Sequence, residues 1–228
     1  EIRLSLVGSE MCIRDRFKYI FAGMAAMSVV ACSEDALETS PSSSVSGNEL
    51  LGTATNALVS LNGVYRAMYT AGVSNSSNTH QCFGITAYNL VADVMGEDCI
   101  MNGQGSGWFW YDCVYNVKSR YTSTGWRSYD MWNGYYTWIS NVNYILAEEE
   151  TMSGSETEKN YVLGQAYAVR AYSYFMLAQM FSRTYKGHES EPCVPLYTEP
   201  TDIATEGKGR ATIEEVYLSL IHISEPTR

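Results

Sequence analysis

Apolar residues recur at helical spacing through most of the chain. The first such run consists of Leu50, Ala54, Leu58, Leu61, Tyr65 and Met68. Intervals of three or four residues place these side chains on one face of a helix. Ser46-Gly-Asn-Glu49 has the form of a capping box, so we predict that this helix starts there and ends before Gly72. A shorter second helix is predicted over residues 87–96.

The second half of the chain predicts three further helices. One covers residues 130–149, and its apolar face is Tyr135, Trp138, Ile139, Val142, Ile145 and Leu146. A capping box at Ser155-Glu-Thr-Glu158 starts a long helix that ends near Phe181, and Thr212-Ile-Glu-Glu215 starts another. The long helix has two neighbouring apolar stripes, which indicates burial against several helices. The predicted fold is therefore mainly α, with antiparallel helix pairs arranged as in tetratricopeptide-like α-solenoids.

Residues 99–126 interrupt this helical pattern. Glycines occupy positions 103, 105, 107 and 125, and an aromatic cluster covers residues 108–111. No 3.6-residue period persists here, so we predict a long loop with short strand pieces. Long structured loops often carry the functional residues of a domain.

The aromatic cluster is the candidate ligand-binding site. Sugar rings present C–H faces that pack on aromatic rings, so Trp108, Trp110 and Tyr111 are candidate ligand contacts, with Asn102 and Gln104 as partners for hydroxyl groups. If the segment is extended, Trp108 and Trp110 face one side and Phe109 and Tyr111 the other. The alternative is that all four rings pack on the helices.

The N-terminal part predicts export and lipid attachment. After Lys18, an apolar run over residues 19–31 is shorter than the ~20 residues that a transmembrane helix needs, and it fits a signal peptide over residues 17–31. Val29-Val-Ala-Cys32 resembles a lipobox, so Cys32 is predicted to carry the lipid anchor. The alternative is an ordinary secretory signal with a chance cysteine. Serine-rich residues 32–47 are predicted to form a flexible tether.

Both ends of the chain resemble a translated sequencing adapter. Residues 218–228 back-translate to the adapter of a transposon-based library, and Val7 to Arg16 back-translate to its complementary strand. We therefore expect residues 1–16 and 218–228 not to be native and exclude them from the fold prediction. The helical domain is then expected over residues 48–217.

Composition limits the possible partners. The formal net charge is −10 and there is no basic cluster, which argues against nucleic acid because phosphate binding needs Lys and Arg. The 18 Tyr and 5 Trp suit contacts with sugars or peptides, although much of the Tyr equally suits a helical core.

No sequence pattern predicts catalysis, a cofactor or a metal site. The sequence has no Ser-His-Asp grouping, phosphate-binding glycine loop or CxxC motif, and His80 and His188 lack metal-ligand spacing. Asp93, Glu97 and Asp98 suit a solvated helix end better than a carboxylate site.

Two further features leave alternatives open. Arg170 is interpreted as a structural arginine, with a ligand contact as the alternative. Cys82, Cys99, Cys113 and Cys193 are expected to be free thiols, although an exported protein permits a Cys99–Cys113 bridge across the aromatic loop.

Four elements together resemble the SusD/RagB family. These are the lipobox followed by acidic residues, Asn62-Gly-Val-Tyr65, the Trp132–Tyr136 segment that continues to Asn143, and Gly164–Phe175 followed by Cys193-Val-Pro-Leu196. Gln165 replaces the family's usual acidic residue, and Val169 its usual leucine.

The resemblance implies a binding protein rather than an enzyme. Family members are mostly helical lipoproteins on the outer face of the outer membrane, above a TonB-dependent transporter of the SusC type. They capture oligosaccharides, or peptides in some branches, and pass them to that channel. Since members are longer, residues 48–217 are expected to form an N-terminal part. We thus predict a glycan-binding lipoprotein; the alternatives are a peptide-binding member of the family and a secreted hydrolase whose catalytic part is missing.

Overall fold

The computed structural model describes residues 51–97, 99–116 and 125–224. The predicted signal peptide, Cys32, the tether, the Ser46–Glu49 capping box and Asp98 lie outside these ranges. The helices of the described part are α1 (Ala54–Ala67), α2 (Ile85–Met95), α3 (Trp110–Cys113), α4 (Trp126–Ala147), α5 (Glu156–Phe181) and α6 (Ile213–Ser224). Isolated bridges are the only β pairing among the described residues, so the fold is mainly α, as predicted.

Helix α1 begins later than predicted. Its N-cap is Thr53, whose side chain accepts a hydrogen bond from the Asn56 backbone N–H at 3.1 Å. The preceding backbone is extended because it pairs with Ser153: the Ser153 N–H donates to Gly52 at 3.0 Å, and the Ala54 N–H donates to Ser153 at 2.8 Å. This long-range pairing sets the start of the helix.

Helices α4 and α5 form the central antiparallel pair. Trp132 contacts Phe181 near one end, with ring centroids 5.0 Å apart, whereas Tyr167 donates a hydrogen bond to Glu149 at the other end. Helix α4 starts at Trp126, earlier than predicted, and all six residues of its predicted apolar face are buried. The predicted capping box at Ser155 and Glu158 is confirmed. Helix α1 packs on both members of this pair, and α6 packs on α5.

The segment before α6 is bound to α5 through Arg170. The Arg170 Nη1 donates to Asn143 Oδ1 at 2.9 Å and to the Thr198 carbonyl at 3.1 Å. This arginine therefore has the structural role favoured by the sequence. The Thr212–Glu215 capping box also forms, and α6 continues past Tyr217 into the segment interpreted as adapter-derived.

None of the helices within the described ranges is long and apolar enough to cross a membrane.

Candidate ligand platform

The aromatic loop folds differently from the extended strand considered above. Phe109 has a left-handed backbone conformation, with φ 58°, and the chain then enters the short helix α3 at Trp110. The predicted strand pieces are absent from the described residues 99–116. The alternation of faces expected of an extended segment does not apply, because a helical turn follows Phe109 directly.

The four aromatic rings have different environments. Phe109 is buried, with 6 % exposed, and packs edge-on against Phe83. In contrast, Trp108 is 51 % exposed and Tyr111 is 56 % exposed, while Trp110 is half-buried. The loop therefore has one aromatic anchor and two rings that are available to solvent.

His80 lies beside Trp108. Their ring centroids are 5.1 Å apart with an interplanar angle of 36°, and both side chains are exposed. Sequence reasoning missed His80 because it tested histidines only as metal ligands. We refer to the exposed rings of His80, Trp108 and Tyr111 as the aromatic platform.

The predicted polar partners lie on the same loop. Asn102 and Gln104 are both exposed. Gly105 and Gly107 follow with positive φ values of 52° and 85°, and the Gly107 N–H donates to the Gln104 carbonyl at 2.8 Å. Glycine adopts this conformation without the penalty of a Cβ atom, so the chain turns sharply between the polar residues and Trp108.

A buried charged cluster contacts the residues that follow the platform rings in the chain. Arg127 on α4 donates to Asp112 Oδ2 at 3.1 Å and to the Gln81 carbonyl at 2.9 Å. Gln81 Oε1 in turn accepts the Phe109 N–H at 2.9 Å. These contacts connect the platform loop to α4 and to the segment that carries His80.

A second buried polar group surrounds Asp130, one helical turn after Arg127. Its carboxylate accepts a hydrogen bond from Ser74 Oγ, and its carbonyl accepts one from the Tyr88 hydroxyl at 2.9 Å. Burial raises the pKa of Asp130, and it raises the pKa of the nearby Cys82 thiol to about 12. Cys82 is therefore a protonated structural thiol at neutral pH rather than a nucleophile.

The other candidate chemical groups of the sequence analysis are the cysteines and the acidic residues after α2. Cys82, Cys99, Cys113 and Cys193 are free thiols, so the structure contains no Cys99–Cys113 bridge. Asp93 and Glu97 are exposed at the end of α2, as expected for a solvated helix end. No group of three His, Cys, Asp or Glu side chains in the described part of the chain is arranged to hold a metal ion.

A pocket of about 320 Å³ lies between α4 and residues 195–205. Trp132, Tyr136, Asn143, Tyr197 and Asp202 contribute to its lining. Two of these side chains already hold the pocket wall: the Tyr136 hydroxyl donates to the Pro195 carbonyl at 2.7 Å, and Asn143 Nδ2 donates to the Tyr197 carbonyl at 2.9 Å. The rings of the aromatic platform, in contrast, are exposed to solvent.

Comparison with known proteins identifies the family. Residues 100–223, more than half of the chain, match the SusD-like family described as "Starch-binding associating with outer membrane". The chain belongs to the SusD/RagB family. No curated protein matches it significantly.

Solved structures agree with this SusD-like assignment. A SusD-like carbohydrate binding protein from Bacteroides vulgatus is 27 % identical, with a TM-score of 0.64, and the match covers 75 % of this chain and 34 % of that one. A SusD superfamily protein from Bacteroides thetaiotaomicron has the same fold, with 20 % identity, a TM-score of 0.53 and coverage of 75 % and 36 %. This SusD-like chain thus spans about a third of the length of these relatives.

The SusD motifs that lie within the described residues meet in space. The Tyr65 hydroxyl donates to Gln165 Oε1 at 3.0 Å, which joins the Asn62–Tyr65 motif to the Gly164–Phe175 motif. The Tyr136–Pro195 hydrogen bond joins the α4 motif to the Val-Pro-Leu segment. The motifs therefore build the SusD scaffold, and the platform residues lie outside them.

Proposed function

We propose that the protein is a surface lipoprotein that binds oligosaccharides at the aromatic platform and delivers them to a TonB-dependent transporter. Family membership gives a binding role associated with the outer membrane. The observation that carries the assignment of the site is the exposure of Trp108 and Tyr111 above a buried, charged support.

The chemistry of the platform suits a neutral sugar. Aromatic rings bind the C–H faces of a pyranose, and large exposed rings stabilise a complex because their apolar area leaves water on binding. Asn102 and Gln104 supply amide donors and acceptors on the same loop, which would bind sugar hydroxyls. Trp110, which is half-buried and precedes Tyr111 in α3, is a secondary candidate.

Delivery and attachment complete the proposal. Cys32 would carry the lipid that holds the protein at the outer membrane. The acidic residues Glu34 and Asp35 that follow it resemble a surface-export signal. A SusC-like transporter would then take the ligand from the platform, so no cofactor or catalytic residue is needed.

A ligand screen on the complete gene product tests the proposed ligand class. We expect binding to one family of neutral oligosaccharides on a glycan array, and no binding to a peptide library of matched size. Selective peptide binding would instead assign the protein to the peptide-binding branch of the family.

The partner is tested by purification from native membranes in mild detergent. We expect a large outer-membrane barrel protein to co-purify with the complete gene product. Isolation of the lipoprotein alone, with the barrel present in the same membranes, would contradict delivery to a transporter.

A further inference from the structure

Arg127 is a deeply buried charged residue whose contacts reach the platform loop, with 1 % of its surface exposed. It lies in the first turn of α4, between the segment that ends at Gln81 and the loop that contains Phe109 and Asp112. No sequence motif marks this residue, because its partners lie 15 and 46 positions away.

The planar guanidinium group of Arg127 forms hydrogen bonds to both segments. Nη1 donates to the Gln81 carbonyl at 2.9 Å, and Nη2 donates to Asp112 Oδ2 at 3.1 Å and approaches Gln81 Oε1 at 3.4 Å. The rings of Trp126 and Phe109 lie against it, with centroids 4.2 and 5.1 Å from Cζ. Burial lowers the pKa of Arg127 to about 10, so the group stays charged at neutral pH.

Each residue that Arg127 contacts in these segments directly follows a platform residue in the chain. Gln81 follows His80 directly in the chain, Phe109 follows Trp108, and Asp112 follows Tyr111. Because Arg127 holds these three neighbours in place, it also holds the backbone from which each platform ring projects. His80 and Trp108, which come from separate segments, are thereby brought to a centroid distance of 5.1 Å.

Stability alone is a poor explanation for this arrangement. Desolvating a buried ion pair offsets much of its Coulomb attraction, and a well-packed apolar group is often as stable or more so. What an arginine that bonds two separate groups supplies in addition is geometry, because its donors point in fixed directions that lysine cannot reproduce.

We propose that Arg127 is a positioning residue that clamps two separate segments so that His80, Trp108 and Tyr111 form one preorganised binding surface. This inference rests on the proposed function of the platform. A surface ordered before binding loses less conformational entropy when the ligand arrives, and this raises affinity without any contact between Arg127 and the ligand.

Fluorine NMR of the complete gene product, labelled with 5-fluorotryptophan, tests the clamp without a ligand. The signals of Trp108 and of the buried Trp138 are assigned from Trp108→Phe and Trp138→Phe variants. We expect Arg127→Lys and Asp112→Asn to move the Trp108 signal towards that of free fluorotryptophan, while the Trp138 signal stays in place. Arg183→Lys and Glu191→Gln, which alter an exposed ion pair of 3.0 Å, are the matched controls and should move neither signal.

Ligand titration then links the clamp to function. Arg127→Lys should weaken binding of the oligosaccharide found in the array by about tenfold, and Arg183→Lys should leave it unchanged. If the unaltered protein binds no oligosaccharide, the proposed function fails, while the fluorine signals still decide whether the clamp exists.

Two results would overturn the inference. The first is an unmoved Trp108 signal in both clamp variants with a native Trp138 signal. The second is loss of the native Trp138 signal in both variants, because the cluster would then support the whole fold rather than the platform. If only Arg127→Lys loses the native Trp138 signal, the test rests on the isosteric Asp112→Asn variant. The inference then stands if Asp112→Asn moves the Trp108 signal and fails if it does not.

Discussion

Arg170 shows at the residue scale how a charged side chain on an apolar helix stabilises its neighbours. It is 7 % exposed, its Nη1 bonds Asn143 Oδ1 and the Thr198 carbonyl, and its guanidinium lies 5.1 Å from the centroid of the Tyr167 ring. Burial lowers the pKa of Arg170, yet each of these partners favours a charged donor. The residue therefore fastens the chain before α6 onto the central helix pair.

We expect Arg170→Met to lower the free energy of unfolding by roughly 2–3 kcal/mol, because the buried Asn143 Oδ1 and the partly buried Thr198 carbonyl lose a charged donor. Urea denaturation of the complete gene product measures this change. Arg183→Met, at an exposed ion pair, is the control and should cost less than about 1 kcal/mol. Equal stability of the two variants would show that the Arg170 contacts add nothing.

The candidate site was predicted from sequence only in part. Trp108 and Tyr111 were found because consecutive aromatic residues in a glycine-rich segment form a local signal. His80, Gln81 and Arg127 were missed because their proximity to the loop arises from tertiary packing. Gln81 bonds Phe109 across 28 positions, and Arg127 bonds Asp112 across 15. The local sequence thus indicated the exposed rings but not the residues from other segments that pack against the loop.

At the scale of the element, helix boundaries were predicted where the signal is local and missed where it depends on distant residues. The start of α5 was predicted because Ser155 and Glu158 cap it within one turn. The start of α1 was not, since the pairing of Gly52 with Ser153 spans about a hundred residues. Helix α4 begins at Trp126 without a side-chain cap at Gly125, so its first turn has no local signal either.

A glycine inside α4 allows the close approach of α2. A Cβ atom at Gly134 would clash with the Tyr88 hydroxyl and would lie 3.5 Å from Ser74 Cβ. That hydroxyl is the group that donates to the Asp130 carbonyl. Gly134 therefore serves packing, although glycine is an unfavourable residue in the middle of a helix.

We expect Gly134→Ala to destabilise the protein by roughly 1–3 kcal/mol, because the added methyl group overpacks the contact with Tyr88. The matched control is Gly63→Ala in α1, where a Cβ atom meets nothing within 4 Å. This control should be neutral or stabilise by up to about 1 kcal/mol through helix propensity. Thermal or urea unfolding compares the two, and a stabilising effect at both positions would contradict the close approach.

At the scale of the whole molecule, scaffold and platform are separate. The hydrogen bonds between the family motifs lie among α1, α4, α5 and the segment before α6. The platform rings come instead from the segment before α2, the loop before α3 and α3 itself. A family can therefore keep one fold while the loops adapt to different ligands. This separation explains why the motifs predicted the family but carried no information on the candidate platform residues.

Attachment is tested at Cys32. We expect Cys32→Ala to move the complete gene product from the membrane fraction to the released fraction, because buried acyl chains contribute ~0.8 kcal/mol per CH₂ to membrane binding. Cys99→Ala, at an exposed free thiol, is the control and should stay in the membrane fraction. Unchanged membrane attachment of Cys32→Ala would contradict the lipid anchor.

The central claim, that the aromatic platform binds an oligosaccharide, is tested most directly by calorimetric titration of platform variants. We expect Trp108→Ala and Tyr111→Ala in the complete gene product each to weaken binding by ~1–3 kcal/mol while the helical circular-dichroism signal is unchanged. Tyr161→Ala, which removes an equally exposed aromatic ring from α5, is the matched control and should bind like the unaltered protein. Unchanged affinity in both platform variants, with folded protein and a binding wild type, would contradict the account.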